Sequence, residues 1–463
     1  MKLNDTIAAI ATPRGSGGIA IIRLSGENAE AIAAKMIVPY GNKNICDLES
    51  HKLTLCRVYS DKGYLLDEAL VAVMRAPKSY TGENVVEVNC HGGFLAADKI
   101  LHGLLGCGAR LAEPGEFTRR AFINGKTDLS GAEAVVDLLN SSSVAGLHNA
   151  ALSVTGALAE KINNLRARLM EIAAHISAAA DYPDEVDAPQ DTILSGDLFE
   201  IRDEVLSLLR GFETGRILKD GVRCAIVGKP NVGKSSILNS LLRFERAIVT
   251  DVPGTTRDTI EELISIGGIA LRLTDTAGIR EAVDEVEKIG IERSIENINM
   301  ADLCLFVIDA SAKPDDADMT IADAIEGKSS ILILNKTDKG SLISKADAKK
   351  IFGIGSDKII ETSTPKGVAA QGIDKLEAVI SDMFAYENLS TDHVYITSER
   401  QRDSLLRADA GLSRALDGLS AGMPYDLLFI DIEDVLSALG EVTGLTVSEE
   451  IIDSVFENFC VGK

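Results

Sequence analysis

The stretch K-D-G-V-R-C-A-I-V-G-K-P-N-V-G-K-S-S, residues 219–236, decides the fold. Upstream of it apolar residues recur at helical spacing. Within it they collect into one short run, Val222–Val227, followed by a loop bounded by glycines and then a new helical pattern. Gly228, Gly233, Lys234 and Ser235 fit G-x-x-x-x-G-K-[ST], the strand–loop–helix phosphate cradle. The glycines let backbone N–H groups curl around phosphates, Lys234 brings a point charge to the outer phosphates, and the Ser235 hydroxyl suits Mg²⁺. By composition alone, roughly one or two chains in a hundred of this length would match by accident. The flanking strand and helix patterns lower that further.

Three more elements follow in order. Asp275-Thr276-Ala277-Gly278 closes an apolar run, where an Asp can hold Mg²⁺ through water and a Gly amide can approach a γ-phosphate. Asn335-Lys336-Thr337-Asp338 ends the run S-S-I-L-I-L-N-K-T-D. Asp338 can accept from both N1–H and the exocyclic amine of guanine, and adenine would leave the carboxylate unpaired. E-T-S-T-P-K-G then supplies Ser363 or Thr364 beside the base. Each motif alone reads as a turn or a cap. In this order and context they resemble the translation-factor class of GTPases. Between the first two lies A-I-V-T-D-V-P-G-T-T-R-D-T-I-E-E, where Thr256 is the expected second Mg²⁺ ligand and the loop is rich in carbonyls. Ile279 stands where Ras-like proteins carry a water-orienting Gln, so water needs help from elsewhere. Asn231 either offers one more neutral oxygen inside the phosphate loop or serves as a plain turn residue.

Around this α/β unit, residues 216–388, the texture is helical on both sides: 121–215 before and 389–463 after. The simplest account is one helical domain interrupted by an insertion, which works where the host's cut ends lie close together. Asp128 or Ser130 would cap the first of its helices. Residues 1–120 alternate short apolar runs with turns and predict an α+β domain. The expected fold is therefore α/β and α+β multidomain, with a parallel sheet in the inserted P-loop unit. The chain of 463 residues has a net charge of −23, no Trp and 4% aromatics. Such a field repels nucleic acid at long range and argues against a general RNA coat or stacking platform. Residues 1–120 are near neutral, so any RNA contact is local or made through a partner. Seven cysteines without a C-x-x-C pair, four of them (Cys56, Cys90, Cys224, Cys304) in strand-like runs, suggest buried reduced thiols and a cytoplasmic location. No run of about 18 apolar residues exists to span a membrane. His91-Gly92-Gly93 reads as a strand-to-helix turn, since no second His or Cys completes a metal site.

Asn231 with G-T-T-R-D, the run D-T-A-G-I-R-E and the terminal Cys-Val-Gly-Lys resemble the MnmE (TrmE) family of GTPases that modify the wobble uridine of tRNA. The resemblance covers the whole chain, including A-T-P-R-G-S-G-G-I-A-I-I-R-L-S-G, S-Y-T-G-E-N-V-V-E-V-N-C-H-G-G and E-P-G-E-F-T-R-R-A-F-I-N-G-K-T-D-L-S-G-A-E-A-V in the front domain. It implies GTP binding by Asn231, Val232, Gly233, Lys234, Ser235 and Ser236, by Thr250, Asp251, Val252, Pro253, Gly254, Thr255 and Thr256, by Asp275, Thr276, Ala277 and Gly278, and by Asn335, Lys336, Asp338 and Ser363. It implies Mg²⁺ on Ser235 and Thr256, and K⁺ on Asn231, Thr250, Thr255 and the carbonyl of Val252, standing in for an arginine finger as two G domains meet. The family's water-orienting glutamate falls on Glu287. The front domain would pair protomers into a homodimer and bind a tetrahydrofolate derivative (5-formyl- or methylene-tetrahydrofolate) through Arg23, Glu87 and Lys126. A FAD-dependent partner, MnmG (GidA), and tRNA would complete the system, which adds a carboxymethylaminomethyl or aminomethyl group to C5 of the uridine.

The ending F-E-N-F-C-V-G-K does not fit a prenylation box, which wants aliphatic residues after Cys. A frayed tail is the plain reading. The resemblance implies instead that the terminal helix carries the tail to the folate pocket, with Gly462 bending the backbone, Lys463 adding an ammonium, and Cys460 either a reactive thiol or a buried one. Two rivals stand beside this: a ribosome-assembly GTPase, which would want a basic RNA-binding appendage not visible here, and a folate transferase with a regulatory G domain.

Overall fold

The computed structural model describes residues 5–13, 15–41, 43–182, 184–244, 262–266, 268–274, 297–365, 370–384, 393–457 and 459–462. The chain divides into two compact units, both discontinuous in sequence. The first is Met1–Val136 with Ala151–Leu209 and Glu399–Lys463; the second is Asp137–Ala150 with Arg210–Ser398.

The first unit opens with strands β1 (Ile7–Ile10) and β2 (Ile19–Ser25), helix α1 (Ala29–Ala33), then β3 (Ile37–Pro39), β4 (Thr54–Tyr59), β5 (Leu65–Met74) and β6 (Val85–His91). Helix α2 (Phe94–Gly106), strand β7 (Arg110–Leu111) and helix α3 (Glu116–Ile123) complete the front. The sheet runs β3-β4-β5-β6-β2-β1-β7, antiparallel save for the parallel β1–β7 pair. Along β2, Ala20, Ile22 and Leu24 are buried while Arg23 lies on the opposite face, the period-two pattern of a sheet with one face on a core. Helix α2 supplies Ala97, Ile100, Leu101 and Leu104 to that core. Beside the sheet sits a buried ionic cluster. Arg120 is fully buried; its guanidinium reaches Asp5 Oδ1 at 2.6 Å, Glu116 Oε1 at 2.9 Å and Glu83 at 3.2 Å. Arg110 binds Asp5 and Glu116 in turn.

Helix α4 (Leu129–Asn140) is capped by Asp128, whose carboxylate accepts from the Gly131 N–H at 3.0 Å. Helix α5 (Val144–Val154) leads to the long α6 (Ala157–Asp181), and α7 (Asp191–Arg210) follows. The helical part of the first unit closes after the second unit's residues, with three further helices at Glu399–Ser420, Tyr425–Thr443 and Glu449–Glu457. The early and late segments are tied by Arg400, which donates to both oxygens of Glu133 on α4 (2.9 and 2.8 Å) and caps the Tyr425–Thr443 helix through the carbonyls of Glu441 and Val442.

The second unit continues from α8 (Phe212–Asp220) into β8 (Val222–Val227), α9 (Lys234–Phe244), β9 (Glu262–Ile266), β10 (Ile269–Thr274), β11 (Leu303–Asp309), α10 (Asp316–Ala324), β12 (Ser330–Asn335), α11 (Lys345–Phe352), β13 (Ile359–Glu361) and α12 (Ile373–Met383). The three later helices are therefore α13 (Glu399–Ser420), α14 (Tyr425–Thr443) and α15 (Glu449–Glu457). Sheet order is β13-β12-β11-β8-β10-β9. All neighbours are parallel except β9, which runs antiparallel to β10 as the edge strand. β12 is buried along its whole length and β11 as far as Ile308, because helices cover both faces and leave two separate cores. Cys56, Cys90, Cys224 and Cys304 are buried free thiols on β4, β6, β8 and β11, as expected. Burial pushes Cys56, Cys90 and Cys304 up to about 11, so their thiolates are scarce. No described helix is long and apolar enough to cross a membrane.

Both chain connections of the second unit are sewn to its early segment. Asn149 on α5 accepts from the Tyr395 N–H at 2.8 Å and donates to the Tyr395 carbonyl at 3.2 Å. Asp137 on α4 pairs with Lys219 at 3.0 Å and accepts from the Thr397 hydroxyl at 2.7 Å. Backbones approach closely at small residues: a Cβ on Gly146 would lie 2.2 Å from the Leu218 oxygen, and one on Gly215 2.0 Å from that of Ile396.

Candidate functional site

Residues 228–235 link the carboxyl end of β8 to α9, the place where a parallel α/β sheet opens a crevice for ligands. Asn231 has φ +62°, a left-handed turn conformation that Asn tolerates. Gly233 has φ +104°, and a Cβ there would lie 2.1 Å from the Asn335 amide nitrogen. Only glycine satisfies both the conformation and the contact. The Lys234 ammonium is half-buried and folds back on the loop, donating to the carbonyls of Gly228 (2.6 Å) and Lys229 (2.8 Å). Burial lowers its pKa to about 8, since a charged amine gives up hydration there.

The base-recognition residues are knitted to this loop. Asn335, fully buried at the end of β12, donates to the Val232 carbonyl at 2.9 Å. Its side-chain oxygen accepts from Thr362 at 3.1 Å and Thr364 at 3.3 Å. Lys336 donates to the Asn231 carbonyl at 2.6 Å and to Asp309 Oδ2 at 2.7 Å. Burial pushes the Asp309 carboxyl up, but the bonds from Lys336 and Ser311 outweigh it and the net shift is downward. Asp338 is exposed, and its Oδ1 accepts from the Ser363 hydroxyl at 3.0 Å. Ser363 is fixed by a backbone bridge to Gln371. The two hydroxyl residues that the sequence offered near the base thus have separate duties: Ser363 orients Asp338 and Thr364 supports Asn335.

Asn231, Val232, Gly233, Lys234, Ser235 and Ser236 are brought together with Asn335, Lys336, Asp338 and Ser363. Thr250, Asp251, Val252, Pro253, Gly254, Thr255, Thr256, Asp275, Thr276, Ala277, Gly278 and Glu287 lie outside the described residues, as does Lys463. Sequence reasoning missed Asp309 and Thr362, which orient Lys336 and Asn335. Each ends or follows a strand beside the motif, a position that could have marked it.

A second constellation sits on the front sheet. Arg23 on β2 and Glu87 on β6 are direct cross-strand partners, joined at 2.8 Å. The Arg23 guanidinium lies 5.2 Å from the Tyr80 ring centre and 5.7 Å from that of Phe117. The stem of Lys126 lies over Gly82, two residues from Tyr80. Arg23 and Lys126 therefore border one loop, and Glu87 is joined to it through Arg23, the two spending part of their charge on each other. His91 ends β6 with its ring and N–H bound to Asp67, which fits a strand-to-helix turn rather than a ligand role.

The tail is seated, not frayed. Phe456 and Phe459 pack with Leu129 and Ala132. Arg119 pairs with Asp453 at 2.5 Å, and the Gly115 N–H donates to the Cys460 carbonyl at 3.3 Å. Gly462 has φ +101°, and a Cβ there would lie 2.3 Å from the Ile10 oxygen. The Cys460 residue is exposed.

The sheet, the loop and the Asn335–Asp338 turn define a P-loop nucleotide-binding protein. Residues 6–126 match the family model "GTP-binding protein TrmE N-terminus" and residues 129–460 match "MnmE helical domain". The chain belongs to the MnmE/TrmE family. It is similar over its full length to three proteins called tRNA modification GTPase MnmE. That of Desulforamulus reducens is 42% identical and covers 100% of both chains. That of Geobacillus kaustophilus is 43% identical over 99% of both chains. That of Acetivibrio thermocellus is 42% identical over 100% of both.

Proposed function

We propose that this protein hydrolyses GTP and couples the hydrolysis to modification of tRNA. The observation that carries the reading is the Asp338–Ser363 pair at 3.0 Å, set beside a phosphate loop that Asn335 and Lys336 hold from below. A carboxylate fixed by one hydrogen bond keeps lone pairs on both oxygens for the guanine edge, where N1–H and the amine both donate. Phosphate oxygens would join the Gly228 and Lys229 carbonyls as partners of the Lys234 ammonium, which has three donors. The loop amides would face the same anion.

The donor set fits hard cations. Ser235 stands in the first turn of α9, and Asn231 adds a neutral side-chain oxygen at the loop's tip. Together with Thr256 for Mg²⁺, and with Thr250, Val252 and Thr255 for K⁺, they would hold cations whose positive charge offsets the negative charge that develops as the terminal phosphate departs. Glu287 is assigned to orienting the attacking water. Segment 1–120 is assigned to pairing protomers and to holding a tetrahydrofolate derivative through Arg23, Glu87, Lys126 and Lys463. Segments 121–215 and 389–463 would carry the inserted nucleotide domain, 216–388. The reaction would proceed with FAD-dependent MnmG (GidA), placing an aminomethyl-type group on C5 of the wobble uridine, with Cys460 near the one-carbon unit.

Three measurements test this. GTP turnover in KCl should far exceed that in NaCl; equal rates would remove the cation assignment. Asp338→Asn presents an amide N–H where xanthine carries a carbonyl, so it should prefer xanthosine over guanosine nucleotides; unchanged preference would displace Asp338 from the base. Nucleoside analysis of tRNA from cells lacking the protein should show altered wobble uridines, an outcome that neither an assembly GTPase nor a free-standing folate transferase produces.

A further inference from the structure

The second residue of the phosphate loop makes contacts that its motif position does not demand. The Lys229 ammonium lies 2.7 Å from Asp315 Oδ2 and 2.8 Å from Asp318 Oδ2. Both acids belong to the start of α10. Asp315 is its N-cap, accepting from the N–H groups of Ala317 (3.1 Å) and Asp318 (3.3 Å). Asp318 Oδ2 reciprocates by accepting from the Asp315 N–H at 3.1 Å. Asp318 is only 2% exposed, and among the described residues its other oxygen has no partner. A buried carboxylate in that state leans on the one cation that reaches it among the described residues.

Lys229 is held at its other end too. Its carbonyl accepts from the Lys234 ammonium at 2.8 Å. One residue thus joins α10, through its side chain, to the phosphate-facing lysine, through its backbone. Lys336 does the same on the far side of the loop, where it joins the Asn231 carbonyl to Asp309. The Asn335–Asp338 motif accounts for that second strut and leaves the first unexplained. Burial works against the Lys229 charge, but the bonds from Asp315 and Asp318 more than offset it and raise its pKa. The strut is charged at any working pH.

We infer that Lys229 is a positioning residue for nucleotide binding: anchored on Asp315 and Asp318, it sets the height at which Lys234 and the loop amides meet the phosphates. It acts through Lys234 and the loop backbone and does not itself touch the nucleotide. The inference rests on reading residues 228–235 as the phosphate site.

The test uses the full-length protein, GDP carrying a fluorescent label for affinity, and GTP turnover for KM and kcat. Lys229→Met should raise the GDP Kd about tenfold, an energy of about 1.4 kcal/mol, with the loss in KM exceeding that in kcat. Lys229→Arg, which keeps the charge and the reach to both acids, should recover most of the affinity. Asp318→Asn should weaken binding in the same sense, and the double variant Lys229→Met/Asp318→Asn should be less impaired than the two losses multiplied. Unchanged affinity in Lys229→Met overturns the inference. So does a loss that Lys229→Arg fails to recover while both variants keep the wild-type melting temperature, because the side chain would then be serving the nucleotide directly. If the wild-type protein binds no labelled GDP, the phosphate-site reading itself fails, and that result is distinct from either of these.

Discussion

Lys234 makes nucleotide binding a proton-linked event. Free, its ammonium is half-buried against two carbonyls, and burial sets its pKa at about 8. With phosphate oxygens beside it, the charged form is favoured and the pKa rises. The sign follows: the depressed value means that the free protein loses the proton as pH rises through 8, whereas the complex keeps it. Affinity is therefore full below pH 8 and falls above it. Between pH 7 and 9 the protonated share of the free protein drops from about nine-tenths to about one-tenth, which weakens GDP by about tenfold, or about 1.4 kcal/mol. At pH 8 binding should take up about half a proton. Titration calorimetry at pH 8 in two buffers of different ionisation enthalpy reads that uptake directly. Lys234→Arg, charged throughout, should flatten the slope while leaving any ionisation of the base in place. Zero proton uptake at pH 8, or the same slope in both proteins, refutes the argument.

Three further outcomes are expected. Arg120→Met strands Asp5, Glu83 and Glu116 without their buried partner and should cost about 3–5 kcal/mol in denaturant unfolding of the full chain; a loss below 1 kcal/mol would mean that water already screens the cluster. Gly462→Ala forces a side chain onto the Ile10 oxygen at a left-handed position and should cost about 1–2 kcal/mol of tail docking, seen as faster hydrogen exchange at residues 455–462 and weaker folate binding, with GDP affinity unchanged. Asn149→Ala orphans the Tyr395 N–H and carbonyl and should destabilise the second unit by about 1–3 kcal/mol, read as a lower melting point that saturating GDP partly restores.

The nucleotide site was legible because its parts are short local motifs: one loop, one turn, and a hydroxyl following the next strand. Spacing carries no direction, so the antiparallel course of β9 was not. No local pattern sets Arg120 apart from Arg119, yet Arg120 is fully buried; only the fold gathers Asp5, Glu83 and Glu116 around it. Arg23 and Glu87 entered as separate folate contacts, and their pairing comes from the β2–β6 register. Lys229 occupies an open position of its motif, and its meaning lies 86 residues away at Asp315. The D-x-x-D spacing of Asp315 and Asp318 signals a helix cap, but not that a lysine would share it.

The second unit's claim on Asp137–Ala150 bears on how this protein can be cut. A fragment spanning only 216–388 would lack Asn149 and the Tyr395 segment it grips, and would bare Leu218, whose carbonyl the Gly146 backbone approaches. Such a piece should be sticky and short-lived however well its sheet folds. Grafting 137–150 onto its front, and running its end through Ser398, would return the missing lining and yield a stand-alone module suited to crystallisation or nucleotide screening.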